Sequence, residues 1–215
     1  MGVAGGEGGP GRFARMTRVL LVRHGQSEWN ADGRWQGQAD VPLTDLGRSQ
    51  AHHAARALGV VDAIVASDLS RATETALILS GELGVGPVVI DPDLRERDAG
   101  EWSGLTRPEI ERGWPGYLAD EDARRRPPGW EPDASLLARA TAALVRIHEL
   151  VPDGEAIAVT HGGLIYVVEG HFGVPFERLA NLGGRWLDVG EEGPVSLGER
   201  VTLIEGEEQT VPSQI

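Results

Sequence analysis

Two short apolar runs, each followed by a histidine and a glycine, constrain the fold of this chain most. Thr17 to Arg23 precedes His24-Gly25, and Glu155 to Thr160 precedes His161-Gly162. Uninterrupted runs of this length, rich in Leu, Val and Ile, are typical of strands that are buried on both faces of a parallel sheet. We therefore expect both histidines at the carboxyl ends of strands.

Strand and helix patterns alternate along the rest of the chain. Helices are predicted from the N-cap Thr44 to about residue 58, over 70–83, over 134–151 and from Gly162; strands are predicted at 61–67 and 87–90, with late edge strands at 186–189 and 200–204. The alternation predicts an α/β fold with an open, mostly parallel sheet and helices on both faces. Ligands of such sheets bind outside the carboxyl ends of the strands.

The length of 215 residues favours one domain. We expect a catalytic domain over 17–206, in which residues 113–132, rich in proline and aromatic residues, form a small irregular cap. The Gly-rich residues 1–16 are predicted to be a flexible N-terminal tail, and the polar residues 207–215 a frayed C-terminal tail.

Composition excludes several kinds of chemistry. The chain has no cysteine, and its 20 basic residues are all arginine. Thiolate metal sites, a cysteine nucleophile, P-loop chemistry and Schiff-base chemistry therefore lack the residue they need. The formal charge of −13 opposes nucleic-acid and anionic membrane partners, and no apolar run approaches the about 20 residues of a membrane span. We expect a cytoplasmic protein.

The two strand ends and one helix start carry cationic groups that suit a phosphoryl ligand. Arg23 and His24 follow one strand, His161 follows another, and Arg71 opens the helix at 70–83. A guanidinium binds two phosphoryl oxygens at once, and a neutral imidazole can attack phosphorus. The glycines after the histidines, Gly162 among them, allow the backbone amides to approach an anion closely.

These residues stand in an ordered set of motifs. The set runs Arg23-His24-Gly25-Gln26-Ser27-Glu28-Trp29-Asn30, Gln36-Gly37, Pro42-Leu43-Thr44, Ser67-Asp68-Leu69-Ser70-Arg71-Ala72, Glu96 before Gly100-Glu101-Trp102, and Thr160-His161-Gly162-Gly163. Together the motifs, over residues 17–170, resemble the phosphoglycerate mutase-like branch of the histidine phosphatase superfamily.

The resemblance implies a role for each matched residue. His24 would be the phosphorylated nucleophile, Glu96 the proton donor, and Arg23, Arg71 and His161 the groups that hold the phosphoryl oxygens. His161 is expected to be favoured as a cation beside these oxygens. Asn30 would contact the phosphoryl group, and Gln36 and Gly37 would lie in the substrate loop. No metal and no other cofactor is expected, because arginine and histidine supply the positive charge.

Some alternatives stay open at this stage. Glu101 is a rival acid, because Glu96 lies between Arg95 and Arg97 in what could be a solvated charge run. Arg124 to Arg126 read as a solvated face, although a cap arginine could reach a substrate anion. The aromatic residues of the cap suit a sugar-like leaving group and suit packing equally well. One departure from the family pattern is Trp130 to Ser135, where related phosphatases often have Gly-Glu-Ser.

The favoured function is hydrolysis of a small phosphorylated metabolite or sugar through a phosphohistidine. A phosphoglycerate-type mutase is the first alternative, but Glu96 and His161 are only 65 positions apart, whereas mutases that resemble this chain carry a longer insertion there. A non-catalytic phosphate-binding module is the second. Homodimerisation is left open.

Overall fold

The computed structural model describes residues 15–119 and 125–213, which form an α/β fold around one six-stranded sheet. The strands are β1 (Thr17–Arg23), β2 (Ala63–Ala66), β3 (Val89–Ile90), β4 (Glu155–Thr160), β5 (Gly183–Gly190) and β6 (Gly193–Thr202). The helices are α1 (Glu28–Ala31), α2 (Asp45–Ala55), α3 (Ser70–Leu83), α4 (Arg107–Gly113), α5 (Asp133–Leu150) and α6 (Gly162–His171). Short 3-10 helices lie at Pro92–Leu94, Gly100–Trp102 and Gly206–Glu208.

The strand order is β3-β2-β4-β1-β5-β6. β3, β2, β4 and β1 are mutually parallel, whereas β5 runs antiparallel to β1 and β6 antiparallel to β5. β1 and β4 are paired in a register that places Arg23 opposite Thr160. The residues that follow these two strands, His24 and His161, therefore emerge side by side at the same edge of the sheet.

The alternation of side chains along β1 and β4 divides the core into two layers. Val19 and Leu21 face α5 and α6, whereas Leu20 and Val22 face α2 and α3. Each fully buried aliphatic side chain contributes roughly 1.5–3 kcal/mol of transfer free energy. Helices therefore cover both faces of the central strands, which confirms the predicted fold class. No helix among the described residues is long and apolar enough to cross a bilayer.

Several predicted elements match the structure, and others do not. The bounds of β1, β4 and α3 are those expected from the sequence. The predicted edge strand at 186–189 is wrong in position, because β5 lies inside the sheet between β1 and β6. The predicted strand at 200–204 is the end of a longer hairpin strand, β6, which begins at Gly193. The short helices α1 and α4 were not expected.

The C-terminal residues differ from the expected frayed segment as far as Thr210. Residues 206–208 form a 3-10 turn, and Thr210 bonds to Asn181 through both its backbone and its hydroxyl. A polar composition suggested fraying, but these polar groups have partners in the fold. Most of the predicted N-terminal tail lies outside the described residues.

The loop after β1 packs directly against the start of α2. A Cβ on Gly47 would lie 2.1 Å from the carbonyl oxygen of Gln26, and a Cβ on Gly25 would lie 2.5 Å from the carbonyl oxygen of Gly47. Both contacts are with backbone atoms, which cannot rotate away. Glycine at these two positions therefore allows α2 to support the segment that carries His24.

Gly47→Ala should destabilise the protein by about 1–3 kcal/mol, because the new methyl group forces two backbone segments apart. Gly81→Ala is the matched control on α3, where nothing lies within 4 Å of the new Cβ. This control should instead stabilise the protein by about 0.5–1 kcal/mol through helix propensity. Urea denaturation of the two variants measures both effects, and equal changes in the free energy of unfolding would contradict the packing argument.

Candidate active site

His24 and His161 lie next to each other, buried beneath the carboxyl edge of the sheet. Their ring centroids are 5.1 Å apart and the ring planes are inclined by 60°. The backbone N–H of His24 donates to the carbonyl oxygen of Thr160 (3.0 Å), which extends the β1–β4 pairing by one residue. The structure thus brings together the two histidines that the sequence predicts to meet.

The hydrogen bonding of His24 defines which ring nitrogen can react. Nδ1 lies 2.6 Å from the carbonyl oxygen of Gly25, an atom that only accepts, so Nδ1 carries the proton. Burial, together with the nearby cations Arg71 and Arg23, holds the pKa of His24 well below its usual value of 6.5. The ring is therefore neutral at pH 7, with the lone pair on Nε2.

His161 has the opposite arrangement of its ring nitrogens. Nε2 lies 3.0 Å from Oγ of Ser67, and that hydroxyl already accepts from the N–H of Leu69. Among the described residues, Nε2 of His161 is the acceptor within reach of the Ser67 hydroxyl proton, so this proton is assigned to the bond with Nε2 and the ring proton to Nδ1. Burial, Arg71 and His24 hold the pKa of His161 well below 6.5. These surroundings do not favour the cation expected from the sequence; they favour a neutral Nδ1–H donor.

Arg23 and Arg71 are buried and held by backbone carbonyl groups. Nη1 of Arg23 donates to Leu179 O (2.7 Å). The guanidinium of Arg71 donates to Ala39 O (2.7 Å) and Gly37 O (2.9 Å). Burial lowers the pKa of Arg23, and it lowers the pKa of Arg71 to about 10, so both side chains remain charged at pH 7. Their orientation is fixed before any ligand arrives.

Within the part of the chain that the structure describes, five buried side-chain nitrogens have no hydrogen-bond partner. Three of them, Arg23 Nε, Arg71 Nε and His161 Nδ1, surround His24, and the other two are the indole nitrogens of Trp35 and Trp102. Buried donors are almost always satisfied in folded proteins. Unsatisfied nitrogens on three residues beside His24 are groups that a bound tetrahedral anion would satisfy.

Glu96 lies at the same site with its carboxylate held by two backbone amides. Oε1 accepts from the N–H of Arg97 (2.7 Å) and Oε2 from the N–H of Gly163 (3.1 Å). A Cβ on Gly163 would lie 2.3 Å from Oε1, so the carboxylate occupies the space that a side chain would take. Glu101, the rival acid, is exposed and does not line the cavity described below.

Arg139 of α5 fixes the segment that carries Glu96. Its guanidinium donates to the carbonyl oxygens of Asp93 (2.8 Å), Arg95 (2.5 Å) and Glu96 (2.9 Å), and it pairs with the carboxylate of Glu131. Glu131 belongs to the segment that departs from the family pattern. Arg139, which is half-buried, therefore connects that segment to the position of Glu96.

A cavity of about 960 Å³ opens above His24. Its lining includes most of the residues predicted to bind substrate: Arg23, Asn30, Gln36 and Gly37, together with Glu96. Arg71 and His161 lie buried beside His24 rather than on the cavity wall. Gly162 also lies outside the lining; a Cβ there would be 3.4 Å from the Arg23 guanidinium, which is an ordinary van der Waals distance.

The outer wall of the cavity is both aromatic and cationic. Trp35, Trp102 and Trp130 pack against one another with ring centroids 5.4–5.9 Å apart, and they line the cavity as well. Four further arginines line it: Arg34, Arg97, Arg107 and Arg126. Arg97, read from the sequence as part of a charge run, therefore belongs to the site. Arg126 also lines it, Arg125 lies over the ring of Tyr117, and Arg124 is outside the described residues.

Two contributors were not predicted from the sequence. Tyr166 lines the cavity, and its hydroxyl accepts from the N–H of Leu179, the residue whose carbonyl group holds Arg23. Its position three residues after Gly163 on α6 is a helical spacing that could have indicated it. Asn181 donates to the carbonyl oxygen of His24 (2.9 Å) from a loop that carries no recognisable motif. Among the described residues, no group of three or more His, Asp or Glu is placed to bind a metal ion.

A family model described as histidine phosphatase superfamily, branch 1, matches residues 19–189. The chain belongs to the histidine phosphatase superfamily. Its match to the glucosyl-3-phosphoglycerate phosphatase of Mycolicibacterium vanbaalenii is 40% identical over 185 residues, 79% of this chain and 80% of the relative. Phosphoglycerate mutase-like protein 4 of Arabidopsis thaliana is 38% identical over 159 residues, 69% and 68% of the two chains.

The structural comparison agrees with the sequence comparison. A mycobacterial glucosyl-3-phosphoglycerate phosphatase, solved with VO3, superimposes with a TM-score of 0.73 at 34% identity over 79% of this chain and 92% of that one. The family and these phosphatase relatives confirm the expectation that this member of the superfamily is a phosphomonoester hydrolase.

From the lowered pKa values of His24 and His161 we predict how the stability of the protein depends on pH. In the folded protein both rings should stay neutral as the pH falls through 6.5, where the histidines of the unfolded chain take up protons. The unfolded state then binds more protons than the native state. The free energy of unfolding should therefore be unaffected by these two rings above about pH 6.5 and should decrease below it. The decrease is at most about 1.4 kcal/mol per ring and pH unit. Titration by NMR, with His24→Gln for assignment, measures both rings; a midpoint at or above 6.5 for either would contradict the electrostatic account.

Gly163→Ala should remove Glu96 from its two amide donors, because the new methyl group would overlap Oε1. With Glu96 as the proton donor, as the family resemblance implies, the loss of its position should lower the rate on an alkyl phosphate by about 10²-fold or more. Gly170→Ala is the matched control on the same helix, with nothing within 4 Å of the new Cβ. Steady-state kinetics on both variants test the placement of the acid, and normal turnover by Gly163→Ala would show that the carboxylate position is not critical.

Proposed function

We propose that this chain hydrolyses a phosphorylated sugar acid of the glucosyl-3-phosphoglycerate type, with His24 as a transient phosphoryl acceptor. The observation that carries the proposal is the set of three buried side-chain nitrogens without a partner on the residues beside a neutral His24. Arg23 Nε, Arg71 Nε and His161 Nδ1 match the need of three phosphoryl oxygens. Donors that are oriented before the reaction stabilise developing charge without a reorganisation cost.

In the first step, the Nε2 lone pair attacks phosphorus and the phosphorus–oxygen ester bond breaks. Glu96, protonated, gives its proton to the departing oxygen, so that a neutral alcohol leaves. The phosphorylated ring keeps its Nδ1 proton and becomes cationic. The bond from Nδ1–H to the carbonyl oxygen of Gly25 strengthens as that charge develops.

In the second step, water attacks the phosphorus of phosphorylated His24. The Glu96 carboxylate takes a proton from the water, the phosphorus–nitrogen bond breaks, and His24 leaves as the neutral Nδ1–H tautomer. Inorganic phosphate is released, and Glu96 is again protonated for the next cycle. Both half-reactions use the same donors, because the phosphoryl group moves little while its bonding partners change.

The cavity supports a sugar acid as the leaving part of the substrate. A single phosphate needs little of a volume of about 960 Å³, and pockets of this size bind drug-sized ligands. The half-buried indoles of Trp35 and Trp130 offer apolar surface of the kind on which sugar rings stack, while Arg34, Arg97, Arg107 and Arg126 offer charge to a carboxylate. The names of the mycobacterial relatives point to the same class of substrate.

We further propose that the reaction needs no metal ion and takes place in the cytoplasm. Two buried guanidiniums provide the positive charge that a metal ion would otherwise supply at the phosphoryl oxygens. The overall acidic character of the chain keeps polyanions such as nucleic acid away from the surface, whereas a small dianion reaches the cationic cavity.

A substrate series tests the function. Glucosyl-3-phosphoglycerate should have the highest kcat/KM; reducing its carboxylate to the alcohol should lower kcat/KM by about ten- to a hundredfold, the worth of a charge-assisted hydrogen bond. 3-Phosphoglycerate, which lacks the glucosyl group, should also be a poorer substrate, and EDTA should change none of these rates. His24→Gln should lose turnover and acid-labile ³²P labelling, while His52→Gln, on the exposed face of α2, should retain both.

Each arm of that experiment has an outcome that contradicts the proposal. Equal kcat/KM for the acid and its reduced analogue would rule out a sugar acid as the preferred substrate. Transfer of label to a second phosphoglycerate in the presence of 2,3-bisphosphoglycerate, faster than release of phosphate, would identify a mutase. Turnover by His24→Gln would end the proposed mechanism.

A further inference from the structure

A buried asparagine links the C-terminal segment to the phosphoryl site. Asn181 follows α6 and is fully buried. Its side-chain nitrogen donates to the carbonyl oxygen of His24 (2.9 Å) and to Oδ1 of Asn30 (3.2 Å). Its side-chain oxygen accepts from the hydroxyl of Thr210 (2.8 Å), and its backbone N–H donates to the carbonyl oxygen of Thr210 (2.9 Å). The amide group of Asn181 is therefore bonded at both ends.

The direction of these bonds is fixed by backbone groups that have only one role. The N–H of Gln26 can only donate, and it donates to Oε1 of Gln50 (2.8 Å). The carbonyl oxygen of Glu208 can only accept, and it accepts from Nε2 of Gln50 (2.6 Å). Gln50 consequently presents its nitrogen to the hydroxyl of Thr210, 2.9 Å away.

The donor–acceptor direction set at Gln50 also fixes the hydrogen bonds of Thr210 and, through Thr210, those of Asn181. The Thr210 hydroxyl accepts from Gln50, so its own proton points to Oδ1 of Asn181. Asn181 must then turn its nitrogen to His24 and Asn30, and the carbonyl oxygen of His24 requires the same orientation. The chain of bonds is thus consistent from both ends.

Asn30 receives its orientation from the same chain. Its Oδ1 accepts from Asn181 and, at 3.4 Å, from the backbone N–H of Ser27. With Oδ1 committed to two donors on that side, the amide nitrogen of Asn30 is on the opposite side. Asn30 lines the cavity together with His24. An amide turned the other way would set an acceptor, rather than a donor, against a phosphoryl oxygen.

We propose that Thr210 and Asn181 are positioning residues that orient Asn30 as a donor to the phosphoryl group. The inference rests on the proposed phosphoryl binding at His24. Thr210 touches neither His24 nor Asn30 directly, so it acts through Asn181. The segment that follows the 3-10 helix at Gly206–Glu208 is on this account a part of the anion site.

Orthovanadate binding to the full-length protein, followed by calorimetry, tests the proposal without requiring turnover. Thr210→Val keeps the side-chain shape but removes the hydroxyl, and it should weaken vanadate binding about three- to tenfold, the worth of one neutral hydrogen bond. Thr210→Ser, which keeps the hydroxyl, should bind nearly as the wild type does. Gln209→Ala, at the exposed neighbouring residue, is the matched control and should show no change.

A double-mutant cycle separates positioning from a general loss of stability. In an Asn30→Ala background, Thr210→Val should change vanadate affinity by less than about twofold, because the group that it orients is gone. An equal loss in both backgrounds, an equal loss in Thr210→Ser and Thr210→Val, or no vanadate binding by the wild type would overturn the proposal. Thermal melting checks that each variant is folded, and Thr210→Ala provides the same comparison if the valine variant is not.

The proposed hydrolysis is tested separately. Wild-type protein that binds vanadate with the predicted dependence on Thr210 and Asn30 but does not hydrolyse p-nitrophenyl phosphate would count against the proposed function alone. Protein that hydrolyses this ester with kinetics independent of Thr210 would count against the positioning role alone.

Discussion

The in-register parallel pairing of β1 with β4 is the constraint on which the whole site depends. These strands lie at the centre of the sheet and end at the same level, so that the residues after Arg23 and Thr160 meet without any loop to bring them together. A shift of one residue would move His24 from Thr160 and would turn alternate side chains to the wrong face. The two core layers, which need Val19 and Leu21 on one face and Leu20 and Val22 on the other, secure that register.

Next to these two strand ends, the fold places charged arginines beside histidines that stay neutral. The two buried arginines remain cations because backbone carbonyl oxygens and a nearby carboxylate offset their burial, and their positive field suppresses protonation of both histidines. A neutral imidazole and two guanidinium cations therefore coexist at one edge of the sheet. Because the rest of the chain is acidic, this interior region is where a small anion meets a positive potential.

Much of the fold and the centre of the site could be predicted from the sequence, because both depend on local patterns. The apolar runs that became β1 and β4 and the motifs around His24, Arg71 and His161 are continuous in sequence. Glu96 could not be separated from Glu101 by sequence alone, since burial decided between them. Asn181 and Thr210 could not be found at all, because their importance arises from contacts between distant segments, and β5 was misplaced because a half-buried strand gives a weak pattern.

The unsatisfied donors beside His24 suit the binding of an anion, but they also lower the stability of the folded protein. A buried polar group without a partner costs about 1–3 kcal/mol, and a domain is stable by only about 5–15 kcal/mol. These three groups therefore lower the stability of the protein whenever neither ligand nor solvent bonds to them. Evolution toward greater stability would replace them with apolar side chains, and the cost of that gain would be the anion site. At Arg23, Arg71 and His161, the proposed anion binding and the stability of the fold thus make opposite demands on the side chain.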